Sequence, residues 1–207
     1  MSVFHCRCRH SIYGTNCRDR TMEALIRVHI ALMAWAITFQ SVEGAASSKR
    51  AADGREWTMA NLNVHARASY CYEDSELNCR RYGRPYTWES AKRACRSLGR
   101  GWRLPTDDEW RELAKRQGGV AEDSRDQERA AFAALLSGGR SGFDGLLGGG
   151  RVEGKYSRLG AHGFYWTSSR SGPEGAWFYN FGKGSHALYR QSGGDLRMAF
   201  SVRCVRQ

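Results

Sequence analysis

The sequence predicts an α+β domain, and three observations lead to this prediction. Helix-type patterns occupy the middle of the chain, at residues 88–97, from residue 106 and at residues 126–136. Short alternating segments separated by glycines follow them up to the C terminus. The last of these segments carries Cys204, whose predicted partner is the helix-end Cys95. Helices first and strands later are typical of the α+β class rather than of repeated βαβ units.

The composition is that of a folded, loop-rich domain. Of the 207 residues, 41% are hydrophobic, 24 are glycine and 3 are proline. These proportions exclude a collagen-like chain and argue against intrinsic disorder. The length suits one domain of about 100 to 150 residues with an additional segment.

Residues 22–48 have the pattern of a signal peptide. Arg27 supplies positive charge, residues 30–39 are apolar, and small residues at 44–46 suit cleavage before Ser47. The apolar run is shorter than the roughly 20 residues that span a bilayer, and a buried core helix is the alternative interpretation. We therefore expect an exported protein, located in the periplasm, at the cell surface or in the medium, which meets a membrane only during export.

Residues 1–21 are unusual because they precede the predicted signal peptide, and a signal peptide normally stands at the N terminus. They hold Cys6, Cys8 and Cys17 among arginines and histidines, without the paired CxxC spacing of structural zinc sites. A small metal-binding segment is the alternative. We interpret these residues as a non-native or unstructured extension.

The chain is basic, with 32 basic and 21 acidic residues and a net charge of +11. Residues 49–207 keep 27 basic and 18 acidic residues. The basic residues are scattered rather than clustered on one predicted helix, so we expect no nucleic-acid partner. A solvated arginine-rich surface explains the same pattern.

Four of the 7 cysteines follow the predicted signal peptide: Cys71, Cys79, Cys95 and Cys204. An even number in an exported domain indicates disulfides, and three pairings are open. We favour a local Cys71–Cys79 clip and a long Cys95–Cys204 closure. On the chain-entropy model the long bridge contributes about 4 to 5 kcal/mol.

The first half of the domain combines one strand, a loop and the first helix. Residues 57–62 alternate apolar and polar side chains, which predicts a half-buried strand after a linker at 49–56. Residues 69–81 are predicted to form a disulfide-clipped loop. Thr87 is placed to cap a helix over 88–97. The predicted buried stripe of that helix is Ala91, Ala94, Cys95 and Leu98.

Thr106 and Glu109 have the spacing of a capping box, in which each side chain accepts a hydrogen bond from the other residue's backbone amide. A second helix therefore starts there. Asp107 and Asp108 complement the positive end of its dipole, which explains these carboxylates better than catalysis does. A third helix is predicted over residues 126–136, before paired glycines.

The last third is predicted to form four strands, at residues 163–169, 176–181, 186–190 and 198–206. One face of the last strand is expected to be apolar: Met198, Phe200, Val202 and Cys204. The more polar positions of that strand include Ser201, Arg203 and Arg206. The glycines between 138 and 154 indicate turns and close backbone passages, because no nucleotide-binding loop pattern surrounds them.

Several motifs together strongly resemble the Fibrobacter succinogenes major paralogous domain (FISUMP) over residues 57–206. They are WTMANL, YGRPYTWESA, the CRSLGRGWRLPTDDEW block, FYWTSS and the ending SVRCVR. The resemblance implies a C-type-lectin-like fold, of the branch shared with formylglycine-generating enzymes, in exported or surface proteins. The pairing of Cys95 with Cys204 is similar to the long bridge of C-type lectin folds. The EPN, QPD and WND triplets of calcium-dependent lectins are absent, so calcium-dependent sugar binding is not expected.

We expect a non-catalytic binding domain whose recognition face lies within residues 177–197, where aromatic and polar side chains alternate between glycine turns. Trp177 and Phe181 are expected in the core. Some lectin-fold proteins that resemble this chain are diversified in this region by retroelements. The partner is expected to be a protein or cell-surface ligand. The candidate binding residues are Tyr179, Asn180, Lys183, Ser185, His186, Tyr189, Arg190, Gln191, Asp195 and Arg197.

A structural or adhesive component of the cell envelope is the first alternative, and a formylglycine-generating type of enzyme is the second. Against the enzyme, Cys204 is the only cysteine in the C-terminal half. His162 and His186 lack metal-ligand spacing, and a triad of Ser168, His186 and Asp195 lacks the GxSxG elbow. We therefore expect no catalytic residues, no metal and no cofactor.

Overall fold

The fold was analysed in a computed structural model, which describes residues 47–120 and 125–207, apart from the side chains of residues 125–128. The predicted N-terminal extension and nearly all of the predicted signal peptide lie outside the described residues, and both stay predictions. The helices are a 3-10 turn at Tyr72–Asp74, then α1 (Glu76–Tyr82), α2 (Trp88–Arg96), α3 (Asp107–Lys115) and α4 (Arg125–Leu135).

The strands form two sheets. Their bounds are β1 (Ser48–Arg50), β2 (Glu56–Thr58), β3 (Gly148–Val152), β4 (Lys155–Leu159), β5 (His162–Arg170), β6 (Gly175–Gly182), β7 (Ala187–Asp195) and β8 (Val205–Arg206). The small sheet has the order β1-β2-β8 and the large one the order β4-β3-β5-β6-β7. All pairings are antiparallel except β3 with β5. Because β2 pairs with β8, the first and last parts of the described domain meet in one sheet.

The α+β class and the three predicted helices are confirmed. Helix α3 begins with a complete capping box, in which Thr106 Oγ1 accepts from the Glu109 amide at 3.2 Å and Glu109 Oε2 accepts from the Thr106 amide at 2.8 Å. Thr87 does occupy the N-cap position of α2, but its side chain makes no capping hydrogen bond. The Trp88 amide, at the start of that helix, donates to the Leu196 carbonyl instead.

Three segments differ from the prediction. Residues 49–56, expected to be a linker, contain most of β1 and the turn to β2. Helix α1 (Glu76–Tyr82) occupies the second half of residues 69–81, which are predicted as a loop, and ends one residue beyond them. The glycine-rich stretch before residue 154 includes β3, which forms a hairpin with β4. Short elements rich in glycine or charge carry little periodicity, and tertiary pairing decides their conformation.

The two faces of the large sheet bury different cores. On one face, Tyr165, Tyr179 and Leu188 pack with side chains of α3 and α4. On the other face, Trp166 and Phe200 pack with α2. Tyr165 and Trp166 are consecutive on β5, so they point to opposite faces.

The terminal segment, residues 198–206, lies largely in the core of the domain rather than half-exposed at its surface. Residues 198–206 were predicted as one amphipathic strand, but the regular strand is only β8. Before it, Ala199, Phe200 and Ser201 form bridges with three different parts of the chain. Residues 199–205 are buried throughout, including Ser201 and Arg203, so the prediction of a more polar face at these two positions is wrong.

Both predicted disulfides are present. Cys71 is bonded to Cys79 over a sequence separation of 8, and Cys95 to Cys204 over a separation of 109. All four cysteines are buried. The long bridge fixes the end of α2 to the segment that enters β8.

Candidate functional site

Strands β5, β6 and β7 align side chains in rows across the sheet. Phe164 lies opposite Asn180, which lies opposite Tyr189. In the next row, Phe178 lies opposite Gln191. Directly opposed residues share a face of the sheet, so these side chains project from the same side.

This side of the sheet carries partly exposed aromatic rings. His162 stacks on Phe164, with ring centroids 5.5 Å apart and an interplanar angle of 9°. Phe164 and Phe178 each lie 5.0 Å from the ring of the buried Phe200, which holds both in position. We call this surface the aromatic sheet face, and its residues are His162, Phe164, Phe178, Asn180, Tyr189 and Gln191. All of them except the buried Asn180 are partly exposed.

Hydrogen bonding and glycines fix the geometry of the aromatic sheet face. Asn180 Oδ1 lies 2.9 Å from His162 Nδ1, which orients both side chains across two strands. A Cβ at Gly194 would stand 2.6 Å from the Trp166 ring, and one at Gly150 would stand 2.9 Å from the Phe200 ring. These two glycines therefore provide the close backbone passages that the aromatic packing requires. Such passages are predicted for the glycines between 138 and 154, which include Gly150 but not Gly194.

Two of the ten candidate binding residues, Tyr179 and Arg190, lie on the opposite face and serve the core. Tyr179 is fully buried and stacks on Trp110 at 5.0 Å, and burial together with Asp107 raises the pKa of its hydroxyl. Arg190 Nη2 bonds to Asp107 Oδ2 at 2.7 Å, and its guanidinium lies 3.3 Å from the Trp177 ring centroid. The prediction that Tyr179 belongs to an accessible binding face is wrong, because tertiary packing covers the ring.

Three other candidates, Lys183, Ser185 and His186, occupy the exposed turn between β6 and β7. The Lys183 amide donates to the Ala161 carbonyl at 3.0 Å, so the turn stands beside the start of β5. The turn therefore adjoins the His162 end of the aromatic sheet face. Its exposed side chains can extend that face.

The last two candidates, Asp195 and Arg197, lie beyond the end of the face. Arg197 Nη2 bonds to Asp195 Oδ2 at 2.6 Å, and this contact holds the pKa of the Asp195 carboxyl at about 2. Both residues line a cavity of about 590 Å³ together with Tyr70, Arg151 and Met198. The ten candidates therefore do not form one continuous surface, although Asn180, Tyr189 and Gln191 lie together on the aromatic sheet face.

Phe164 and Phe178 are not among the binding residues predicted from the sequence, and His162 was considered only as a possible metal ligand. The alternation of side chains along β5 and β6 could have identified these residues, because every second residue of a strand lies on the same face. The sequence could not show which face stays accessible, because that depends on where α2, α3 and α4 pack.

The described residues do not assemble the catalytic or metal sites weighed from the sequence. His186 and Asp195 stand at opposite ends of β7, a separation on the order of 30 Å at the rise of an extended strand. Cys71, Glu76 and Cys79 bring potential metal-ligating atoms within 4.8 Å of one another, but the two cysteines are joined in a disulfide. A disulfide-bonded sulfur is not the thiolate that binds metals.

Within residues 47–120 and 125–207, no helix has the length and apolar character needed to cross a membrane.

The fold and the site define a disulfide-closed α+β domain with an aromatic surface on its central sheet. The chain belongs to the Fibrobacter succinogenes major domain family, whose model matches residues 16–206. This confirms the family resemblance seen in the sequence. Comparison with curated proteins and with solved structures found no significant match.

Proposed function

We propose that this protein is an exported, non-catalytic binding domain that recognises a protein or cell-surface ligand through the aromatic sheet face. The observation that carries the proposal is the in-register set of partly exposed aromatic and amide side chains on β5, β6 and β7. Aromatic side chains contribute large contact areas with few rotatable bonds, and amides add directional hydrogen bonds.

The rigidity of the surface supports a binding role. The rings of Phe164 and Phe178 are held by Phe200, and His162 is held by Asn180. Side chains fixed before binding lose little conformational entropy when a partner docks. A surface on a strand is positioned more accurately than one on a loop.

A C-type-lectin-like fold belongs to the same proposal. Its support is the pairing of β2 with β8 near the two ends of the described domain and the bond from the end of α2 to Cys204. The export route is supported by the two disulfides, which persist in oxidising compartments.

Diversification by a retroelement extends the proposal. Tyr189 and Gln191 project from a fixed backbone, so exchanging them alters the surface with little effect on the core. Arg190 lies between these two residues on β7, and Tyr179 lies on the neighbouring β6. Both contact α3 and would have to remain unchanged. Finding a neighbouring reverse-transcriptase gene with a near-copy of the codons for residues 177–203 would support this extension, and its absence would favour a structural or adhesive envelope role.

The test is a pull-down from envelope extracts with the full-length protein as it is exported. A triple variant, His162→Ala, Tyr189→Ala and Gln191→Ala, is compared with a control that carries Glu112→Ala and Arg116→Ala on the exposed side of α3. We expect the native protein and the control to capture the same partner, and the triple variant to bind it at least about tenfold more weakly. Equal capture by all three proteins contradicts the proposed face.

A further inference from the structure

A second, separate cavity lies between the β1–β2 hairpin, the end of α3 and the loop at residues 140–143. Its volume is about 260 Å³. Three basic side chains, Lys49, Arg50 and Arg140, line it. Residues of the aromatic sheet face do not contribute to the lining.

Lys49 and Arg140 have no carboxylate partner among the described residues, whereas Arg50 lies directly opposite Glu56 in the β1–β2 pairing and its charge helps to lower the pKa of that carboxyl. None of the three cations lies within 4 Å of an aspartate or glutamate oxygen of the described residues, whereas other arginines such as Arg103 and Arg206 do form such pairs. All three are exposed at the rim. Lys49 Nζ lies 3.3 Å from where a Cβ at Gly142 would stand, so the ammonium rests against the opposite wall of the cavity.

The base of the cavity is apolar and rigid. Trp57, Leu113 and Phe143 are all buried, and the rings of Trp57 and Phe143 meet edge to face at 5.9 Å. The indole Nε1 of Trp57 donates to Asp53 at 3.0 Å, which fixes the ring. An apolar group entering the cavity would contact preformed aromatic surface.

Gln117 supplies a polar group to the wall. Its residue is only 9% exposed, and within the described part of the chain the buried side-chain atoms that lack a partner do not include its amide, so this amide opens into the cavity. An amide that opens into a cavity is available to bond to a polar atom of a ligand.

We propose that this cavity binds a small organic anion with an apolar body. The apolar part would lie on Trp57 and Phe143, the anionic group would pair with Lys49 and Arg140, and Gln117 would bond to a polar atom of the ligand. Ligand pockets combine an apolar lining with a few convergent polar groups in this way. The inference is independent of the aromatic sheet face.

The probe for this cavity is 4-phenylbutyrate, with 4-phenylbutan-1-ol as its uncharged match. Isothermal titration calorimetry on the full-length, oxidised protein is expected to show the carboxylate binding about tenfold or more tighter than the alcohol. Binding of the carboxylate is expected to weaken between about 0.05 M and 0.5 M salt, because the rim cations are exposed. Equal affinities for the two probes, or no binding of either, overturn the proposal.

Two variants and one control locate the probe. The double variant Lys49→Gln and Arg140→Gln is expected to bind 4-phenylbutyrate about tenfold more weakly, whereas Arg197→Gln, at a distant exposed site, is expected to leave its affinity unchanged. Gln117→Leu removes the amide that opens into the cavity with little change in volume, so it is expected to fold normally and yet bind more weakly. Unchanged affinity in both cavity variants overturns the proposal.

Discussion

Arg203 is a charged residue in a fully buried position. Among the described residues, no carboxylate forms an ion pair with it. The guanidinium bonds instead to Asn61 Oδ1 at 2.8 Å, to the Thr58 carbonyl at 2.8 Å and to the Asp144 carbonyl at 2.6 Å. Burial lowers its pKa, which shows the desolvation that these acceptors must offset. Arg203 thus joins the small sheet to the loop before β3.

Replacing Arg203 with methionine is expected to lower the free energy of unfolding by about 3 kcal/mol, because it leaves the acceptors of the buried Asn61 and Thr58 without a donor, at about 1 to 3 kcal/mol each. Urea denaturation of the oxidised protein measures this change. Arg197→Met, at a 90% exposed side chain, is the control and is expected to cost less than about 1 kcal/mol. A neutral Arg203→Met variant contradicts a structural role for these bonds.

At the scale of elements, polar side chains at the start of helix α3 attach it to several other segments. Asp107 accepts from Arg190 on β7, and Glu109 accepts from the two terminal guanidinium nitrogens of Arg103, each at 2.6 Å. Glu109 also forms an ion pair with Arg55 at 3.0 Å. One carboxylate therefore completes the cap of its own helix and connects that helix to two other segments.

The attachment through Glu109 predicts acid sensitivity. Burial alone would raise the pKa of this carboxyl, but the bonds from Arg103 and the Thr106 amide, with the charge of Arg55, outweigh it and lower the pKa below 4.5. The stabilisation is therefore present above about pH 4.5 and is lost as the pH falls through the folded-state pKa.

Glu109→Gln is expected to lower stability at pH 7 and to reduce the difference in unfolding free energy between pH 7 and pH 3. Urea denaturation at the two pH values measures both quantities. Glu112→Gln, in an exposed pair with Arg116, is the matched control and is expected to change little. If Glu109→Gln keeps the full pH dependence, the acid sensitivity originates in other carboxylates.

At the scale of the whole molecule, the two disulfides constrain the chain very differently. The Cys95–Cys204 bond closes a separation of 109 residues, whereas Cys71–Cys79 closes one of 8. The long bond also lies beside the pairing of β2 with β8, where the beginning and end of the described domain meet. It stabilises mainly by restricting the unfolded chain.

Removing the long bond by Cys95→Ala and Cys204→Ala is expected to cost about 5 kcal/mol, and removing the short one by Cys71→Ala and Cys79→Ala about 2 to 3 kcal/mol. Thermal and urea unfolding of the two double variants give the comparison. A larger loss from the short bond would mean that it holds native structure around α1 and does not act mainly on the unfolded state.

The sequence by itself determined the α+β class, the family and the starts of α2 and α3, because these depend on local patterns and motifs. It allowed three disulfide pairings, and the favoured one is present. The Thr106–Glu109 spacing fixes a helix start through bonds only three residues apart, and the apolar stripe of α2 places Cys95 on its buried side.

Only the tertiary structure decided the burial of Arg203, the strand at 48–50 and which candidates share a surface. Tyr179 and Tyr189 are both tyrosines on neighbouring strands, but α3 covers the first and leaves the second partly exposed. A side chain's accessibility depends on which elements pack over it, and those contacts join residues far apart in the chain.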